Sequence, residues 1–78
     1  GNVLIELANI MLIQERLEAA TRYFTEFTSV SKHNALSLWI GYRLAAKRRD
    51  LDSKDSFRIL LRRLFPDSPE SKLVTGEN

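Results

Sequence analysis

The chain repeats its own apolar pattern at an interval of 34 residues. Leu4, Leu7, Ala8, Met11, Leu17, Ala20, Phe24, Phe27 and Val30 return as Leu38, Gly41, Tyr42, Ala45, Leu51, Lys54, Arg58, Leu61 and Leu64. Within each interval the apolar residues recur at three-and-four spacing, so each interval reads as two amphipathic helices. A helix pair of this length cannot bury its apolar face alone and does so by stacking on a neighbouring pair. Arrays of this kind offer extended surfaces to other molecules and do not close around a catalytic cleft. The expected fold is therefore all-α: two antiparallel helix-turn-helix units, residues 1–34 and 35–68, stacked as part of a right-handed solenoid, with a short helix and frayed tail in 69–78.

The local signals agree with that division. Val3, Leu4, Leu7, Ala8, Met11 and Leu12 cover one broad face of a first helix ending at Ile13, and Gln14-Glu15-Arg16 makes the tight connection to a second. Asn34 is expected to cap a third helix running to about Arg48, because its side chain can accept a bond from an amide of the first turn. Asp50-Leu51-Asp52 is the expected second connection, with Asp52 as cap. Pro66 stops the fourth helix near Leu64, since it can neither donate the next bond nor fit the helical backbone. Ser68-Pro69-Glu70 starts a last short helix, with fraying expected from Thr75 onward.

A chain of 78 residues supports one small domain, which hides roughly 60% of its unfolded surface. The helical pattern starts almost at the first residue, which is not Met, so the chain reads as a stretch of a longer repeat protein. Its net charge of +2 is too small to define a nucleic-acid binder by itself. There is no cysteine, hence no disulfide and no thiolate chemistry, and no apolar run of the roughly 20 residues that span a bilayer.

The residue types that carry catalysis or metal binding do not assemble into motifs. Asp50, Asp52 and Asp55 suggest a calcium loop, but Lys54, Asp55 and Leu61 stand where that loop needs an oxygen ligand, a glycine and a glutamate. Helix capping explains these aspartates better. His33, the single histidine, falls in a turn and reads as a solvated residue. No serine lies in a nucleophile motif and no glycine-rich phosphate loop exists. The chain is thus expected to be no enzyme, with no catalytic residues, no metal and no cofactor.

Two surfaces remain as candidates. In a stacked helix-pair array, Ile5, Asn9 and Leu12 of the first helix and Trp39, Ile40, Arg43 and Lys47 of the third fall on the inner, concave wall. A tryptophan beside an arginine is the composition of a binding hot spot. The other reading of Trp39 is packing against the neighbouring repeat. The second surface is the run of basic residues from Arg43 to Arg63, which could neutralise phosphates, although Asp50, Asp52 and Asp55 interrupt it. Exposure of Ile5, Ile10 or Leu12 is expected to promote self-association of the chain.

At the positions of the 34-residue repeat the two units resemble tetratricopeptide repeats, the first closely. The second departs at Lys54 and Arg58, where that family has small residues, so these two chains either snorkel or belong to a rotated helix. Two strings are more specific: Leu38-Trp39-Ile40-Gly41-Tyr42-Arg43, and Leu61-Arg62-Arg63-Leu64-Phe65-Pro66-Asp67-Ser68-Pro69-Glu70. Together they resemble the C-terminal repeats of the PilF/PilW family, tetratricopeptide lipoproteins of type IV pilus biogenesis. The resemblance implies a non-enzymatic scaffold on the periplasmic side of the bacterial outer membrane. There it would act as a pilotin, binding secretin subunits and assisting their assembly. The lipid anchor is implied by the family alone, and the carboxylate clamp of some tetratricopeptide domains does not transfer, because Ile5 and Ile40 occupy two of its places. A nucleic-acid-binding helical module and an adaptor unrelated to pili are the alternatives.

Overall fold

A computed structural model describes residues 3–77, with side chains through Val74. All five elements are helices: α1 (Val3–Ile13), α2 (Leu17–Val30), α3 (Ala35–Lys47), α4 (Leu51–Leu64) and α5 (Pro69–Glu77). No strand occurs among the described residues. Two compact units divide the chain, Gly1–Lys32 and His33–Asn78. The first is the α1–α2 hairpin; the second is the α3–α4 hairpin with α5 packed on both of its helices.

The interval seen in the sequence reappears in the backbone of the turns. Glu15 and Arg49, 34 positions apart, are the non-glycine residues with positive φ, at 60° and 59°. Around each, the same bonds recur. The amides of Gln14, Glu15 and Arg16 donate to the carbonyls of Ile10, Leu12 and Met11; those of Arg48, Arg49 and Asp50 donate to Leu44, Ala46 and Ala45. A left-handed residue just past a helix lets the next amide reach back to carbonyls that would otherwise be orphaned. Each hairpin therefore reverses in three residues, which makes its two helices antiparallel.

This geometry moves the second connection two residues earlier than expected, to Arg48-Arg49-Asp50. Because the backbone reverses at Arg49, α4 begins at Leu51 and its cap is Asp50, not Asp52. The Asp50 carboxylate accepts from the Ser53 amide (3.2 Å) and the Ser53 hydroxyl (2.8 Å). Those bonds, with Arg48 nearby, hold its carboxyl below the usual range. The first hairpin has Arg16 in the equivalent place, with no side-chain cap.

α3 starts as its sequence suggests. Asn34 Oδ1 accepts from the Ser37 amide (2.8 Å), and Ser37 Oγ accepts from the Asn34 amide (2.8 Å), a reciprocal capping box. α5 begins 34 residues later on the same plan. Ser68 Oγ accepts from the Ser71 amide (3.0 Å), and Ser71 is buried like Ser37. α5 is thus a third helix of the α1 and α3 class. It runs to Glu77, past Thr75 where fraying was expected; Asn78 lies outside the described residues.

The second unit closes around Leu38, Tyr42, Leu61 and Val74, with Ala35, Trp39, Phe57 and Phe65 packed against them. Each large side chain buried there is worth roughly 1.5–3 kcal/mol. Lys54 and Arg58 snorkel: the Lys54 ammonium lies 5.5 Å from the Tyr42 ring centre, and Arg58 reaches Asp55 at 3.3 Å. Their alkyl stems take the place of small residues while their charges stay at the surface. In the first unit the buried residues are Ile5, Ala8 and Leu12 on α1 and Ala20 and Phe27 on α2. Val30, expected in the α2 stripe, is exposed.

Candidate functional site

α1 turns a different face inward from the one its sequence suggests. Leu4, Leu7 and Met11 are half-buried, whereas Ile5 (0% exposed), Ala8 and Leu12 (1%) form the innermost stripe. An eleven-residue helix that is apolar on nearly every side leaves periodicity with little to select one face, and packing selects it instead. Ile5 and Leu12 are therefore core residues and offer no surface to a partner. The same holds for Ile40 (1% exposed) on α3. The self-association expected from Ile5, Ile10 or Leu12 accordingly has only Ile10 exposed to support it.

Asn9 is half-buried on α1. Trp39, Arg43 and Lys47 sit at intervals of four on α3 and so share one edge of that helix. Along this edge burial falls from half-buried Trp39 and Arg43 to exposed Lys47. One side of Trp39 packs on the core of Leu38, Tyr42, Leu61 and Val74. The Arg43 guanidinium lies over its ring, 4.6 Å from the centre, a cation–π contact of roughly 0.5–2 kcal/mol. The packing of Trp39 is on the core of its own unit, whereas the other reading of this residue is packing against the neighbouring repeat. The indole is packed on one side and covered by the guanidinium, so the edge offers a ligand the indole rim and the Arg43 charge.

The basic run from Arg43 to Arg63 does not make one patch. Lys47, Arg48 and Arg49 are exposed at the α3–α4 turn, while Arg62 and Arg63 are exposed in the last turn of α4. At the helical rise these two groups lie roughly 17 Å apart along α4. Between them Asp50, Asp52 and Asp55 are also exposed.

His33 differs from expectation. It is half-buried, its ring meets Phe57 edge-on at 6.0 Å, and its Nδ1 is 2.9 Å from Ser37 Oγ. The Ser37 hydroxyl donates to the Asn34 carbonyl (3.0 Å), which assigns the hydrogen of the His33 contact to Nδ1. Burial pushes the imidazole below its usual pKa. A turn histidine with a serine four residues on is the sequence signal that could have found this contact. Among the described residues no three His, Asp or Glu side chains gather where a metal ion could be held. A depression of about 600 Å³ is lined by Arg16, Leu17, Glu18, Ala19 and Arg22 at the start of α2; it contains none of the expected site residues. No helix among the described residues is long and apolar enough to cross a membrane.

Compared with curated proteins, the chain is 33% identical over 76 residues to the type IV pilus assembly protein PilF of Pseudomonas aeruginosa. The alignment covers 97% of this chain and 30% of that protein, so the chain spans less than a third of the relative's length. No protein-family model matches the chain, and no solved structure matches it.

Proposed function

We propose that this chain is a non-enzymatic protein-interaction module of type IV pilus assembly, and that it engages a protein partner along the Trp39–Arg43–Lys47 edge of α3. The observation that carries the reading is the similarity to PilF across nearly the whole chain. The Trp39–Arg43 pair supports it locally, since a tryptophan with an arginine over its face is hot-spot composition. Asn9, on the other unit, is a secondary candidate. Helix pairs with matched turns, and caps in place of catalytic groups, suit a scaffold.

The finer form of the proposal is that the partner is a secretin subunit and that the chain works as part of a pilotin at the periplasmic side of the outer membrane. A lipid anchor would be supplied by parts of the protein outside this chain. Nucleic-acid binding is the weaker reading, because the cations it needs are split between two ends of a hairpin and interleaved with acids.

Titration calorimetry of the chain against purified secretin subunits of its own pilus system tests the proposal. Saturable heat is expected, persisting at moderate salt. Absence of heat, together with binding to single-stranded DNA at low salt that fades steeply as salt rises, would replace it with the alternative.

A further inference from the structure

The outward face of α4 changes character halfway along the helix. Its first half shows Asp52, Asp55 and Ser56 to solvent. Its second half shows Ile59, Leu60, Arg62, Arg63 and Leu64, with Ile59, Leu60 and Leu64 exposed by 49%, 38% and 57%. Ile59 lies three and four residues from Arg62 and Arg63, and Leu60 lies three and four from Arg63 and Leu64, so these side chains form one continuous surface. No acid occurs from Ser56 to Pro66, and Arg58, at the edge of the surface, turns back to Asp55 at 3.3 Å. The exposure is not that of a helix left open for the next pair to stack on. α5, the following first helix, already packs on α3 and α4, with Leu61 and Val74 in the shared core, and the surface stays exposed beside it.

Arginines set among large aliphatic side chains suit a surface that is anionic outside and apolar just beneath. We propose that the C-terminal half of α4 docks on an anionic phospholipid surface, with Ile59, Leu60 and Leu64 entering the boundary between headgroups and acyl chains and Arg62 and Arg63 on phosphate groups. An exposed helix face of this composition lies in the plane of the interface. Arginine stems run along apolar surface while their guanidinium groups take phosphate oxygens. A second copy placed face to face would set like charges against each other, and a nucleic acid would leave the aliphatic side chains in water. The opposite face of α4, with Leu61 and Phe57, stays in the core of its unit. The patch is small, so attachment is weak and reversible.

Co-sedimentation of the chain with vesicles of phosphatidylglycerol and phosphatidylcholine in equal parts tests the docking, with vesicles of phosphatidylcholine alone beside them. Binding is expected to the mixed vesicles only, weakening as salt is raised. Arg62→Gln/Arg63→Gln is expected to lower the partition about 25-fold, roughly fivefold for each charge. Ile59→Ser/Leu64→Ser is expected to lower it about tenfold. All of these positions are exposed, and unchanged helicity and melting verify that each variant folds. Arg48→Gln/Arg49→Gln, which removes the same charge at the opposite end of α4, is expected to bind nearly as the wild type does. A wild type that leaves the mixed vesicles unbound overturns the proposal and returns the face to a protein partner. An equal loss in Arg48→Gln/Arg49→Gln reduces the binding to attraction by net charge, and no loss in Ile59→Ser/Leu64→Ser removes the apolar seating; either result overturns it as well.

Discussion

Glycine at Glu15 or Arg49 should relieve the backbone strain of its turn and stabilise the fold. Each residue holds φ near 60° at the reversal of its hairpin, a conformation that costs a residue with a Cβ roughly 1–2 kcal/mol. Glycine removes that cost but gives back roughly 0.5–1 kcal/mol through the greater freedom of the unfolded chain. The net gain is about 0–1.5 kcal/mol per site. The bonds that close each turn are backbone bonds, from Glu15 to Leu12 and Arg49 to Ala46, and from Arg16 and Asp50 one residue further. In a domain of this size a gain of 1 kcal/mol raises the melting midpoint by roughly 4–8 °C. Thermal and urea melts followed by circular dichroism measure it, on each single variant and on the pair. Glu15→Val and Arg49→Val, β-branched in the same left-handed position, should lose stability. An Arg49→Gly variant that melts well below the wild type would refute the left-handed turn.

The pH dependence of the second unit should carry the mark of His33. Its imidazole is held below the usual pKa by burial, so the unfolded chain binds the proton more readily. The contribution is fully present above about 6.5, the ordinary histidine value, and is lost as pH falls from there through the lower folded value. Urea melts at pH 7.5 and 5 check this, and in a His33→Gln chain that part of the difference should vanish. Arg16→Asp gives α2 the cap that α4 has from Asp50 and should add about 1 kcal/mol; an unchanged urea midpoint would show that the two turns are not interchangeable.

How far the fold could be read in advance differed from helix to helix. α2 is polar on one side and apolar on the other, and its limits follow from periodicity. α4 ends where Pro66 requires, and α3 begins at Asn34 because the capping residue is specific. α1 was less legible because Leu4, Ile5, Leu7, Ala8, Met11 and Leu12 offer more than one apolar stripe, and only packing decides that Ile5, Ala8 and Leu12 lie innermost. That ambiguity carries into the candidate site, because a different choice of stripe puts Ile5 and Leu12 on an inner wall. The left-handed turns were hidden because Glu15 and Arg49 stand where glycine would have announced them. Without that glycine signal the sequence sets the turn two residues late and Asp52 at the cap position that Asp50 holds. Trp39 and Arg43 were singled out by residue type, but their stacking needed three dimensions, as did the separation of Arg48 and Arg49 from Arg62 and Arg63 by the length of α4.

Whether the Trp39–Arg43 edge takes the partner is decided by Arg43→Glu. This change sits at the surface end of the pair, leaves the indole packed on Leu38, Tyr42, Leu61 and Val74, and reverses the charge over its face. Titrated against the same secretin subunits, a folded Arg43→Glu chain should bind about 30-fold more weakly, the equivalent of about 2 kcal/mol. Arg22→Glu, a charge reversal on α2 of the other unit, should bind as the wild type does. Undiminished binding by Arg43→Glu, or an equal loss in Arg22→Glu, would contradict the assignment of this edge.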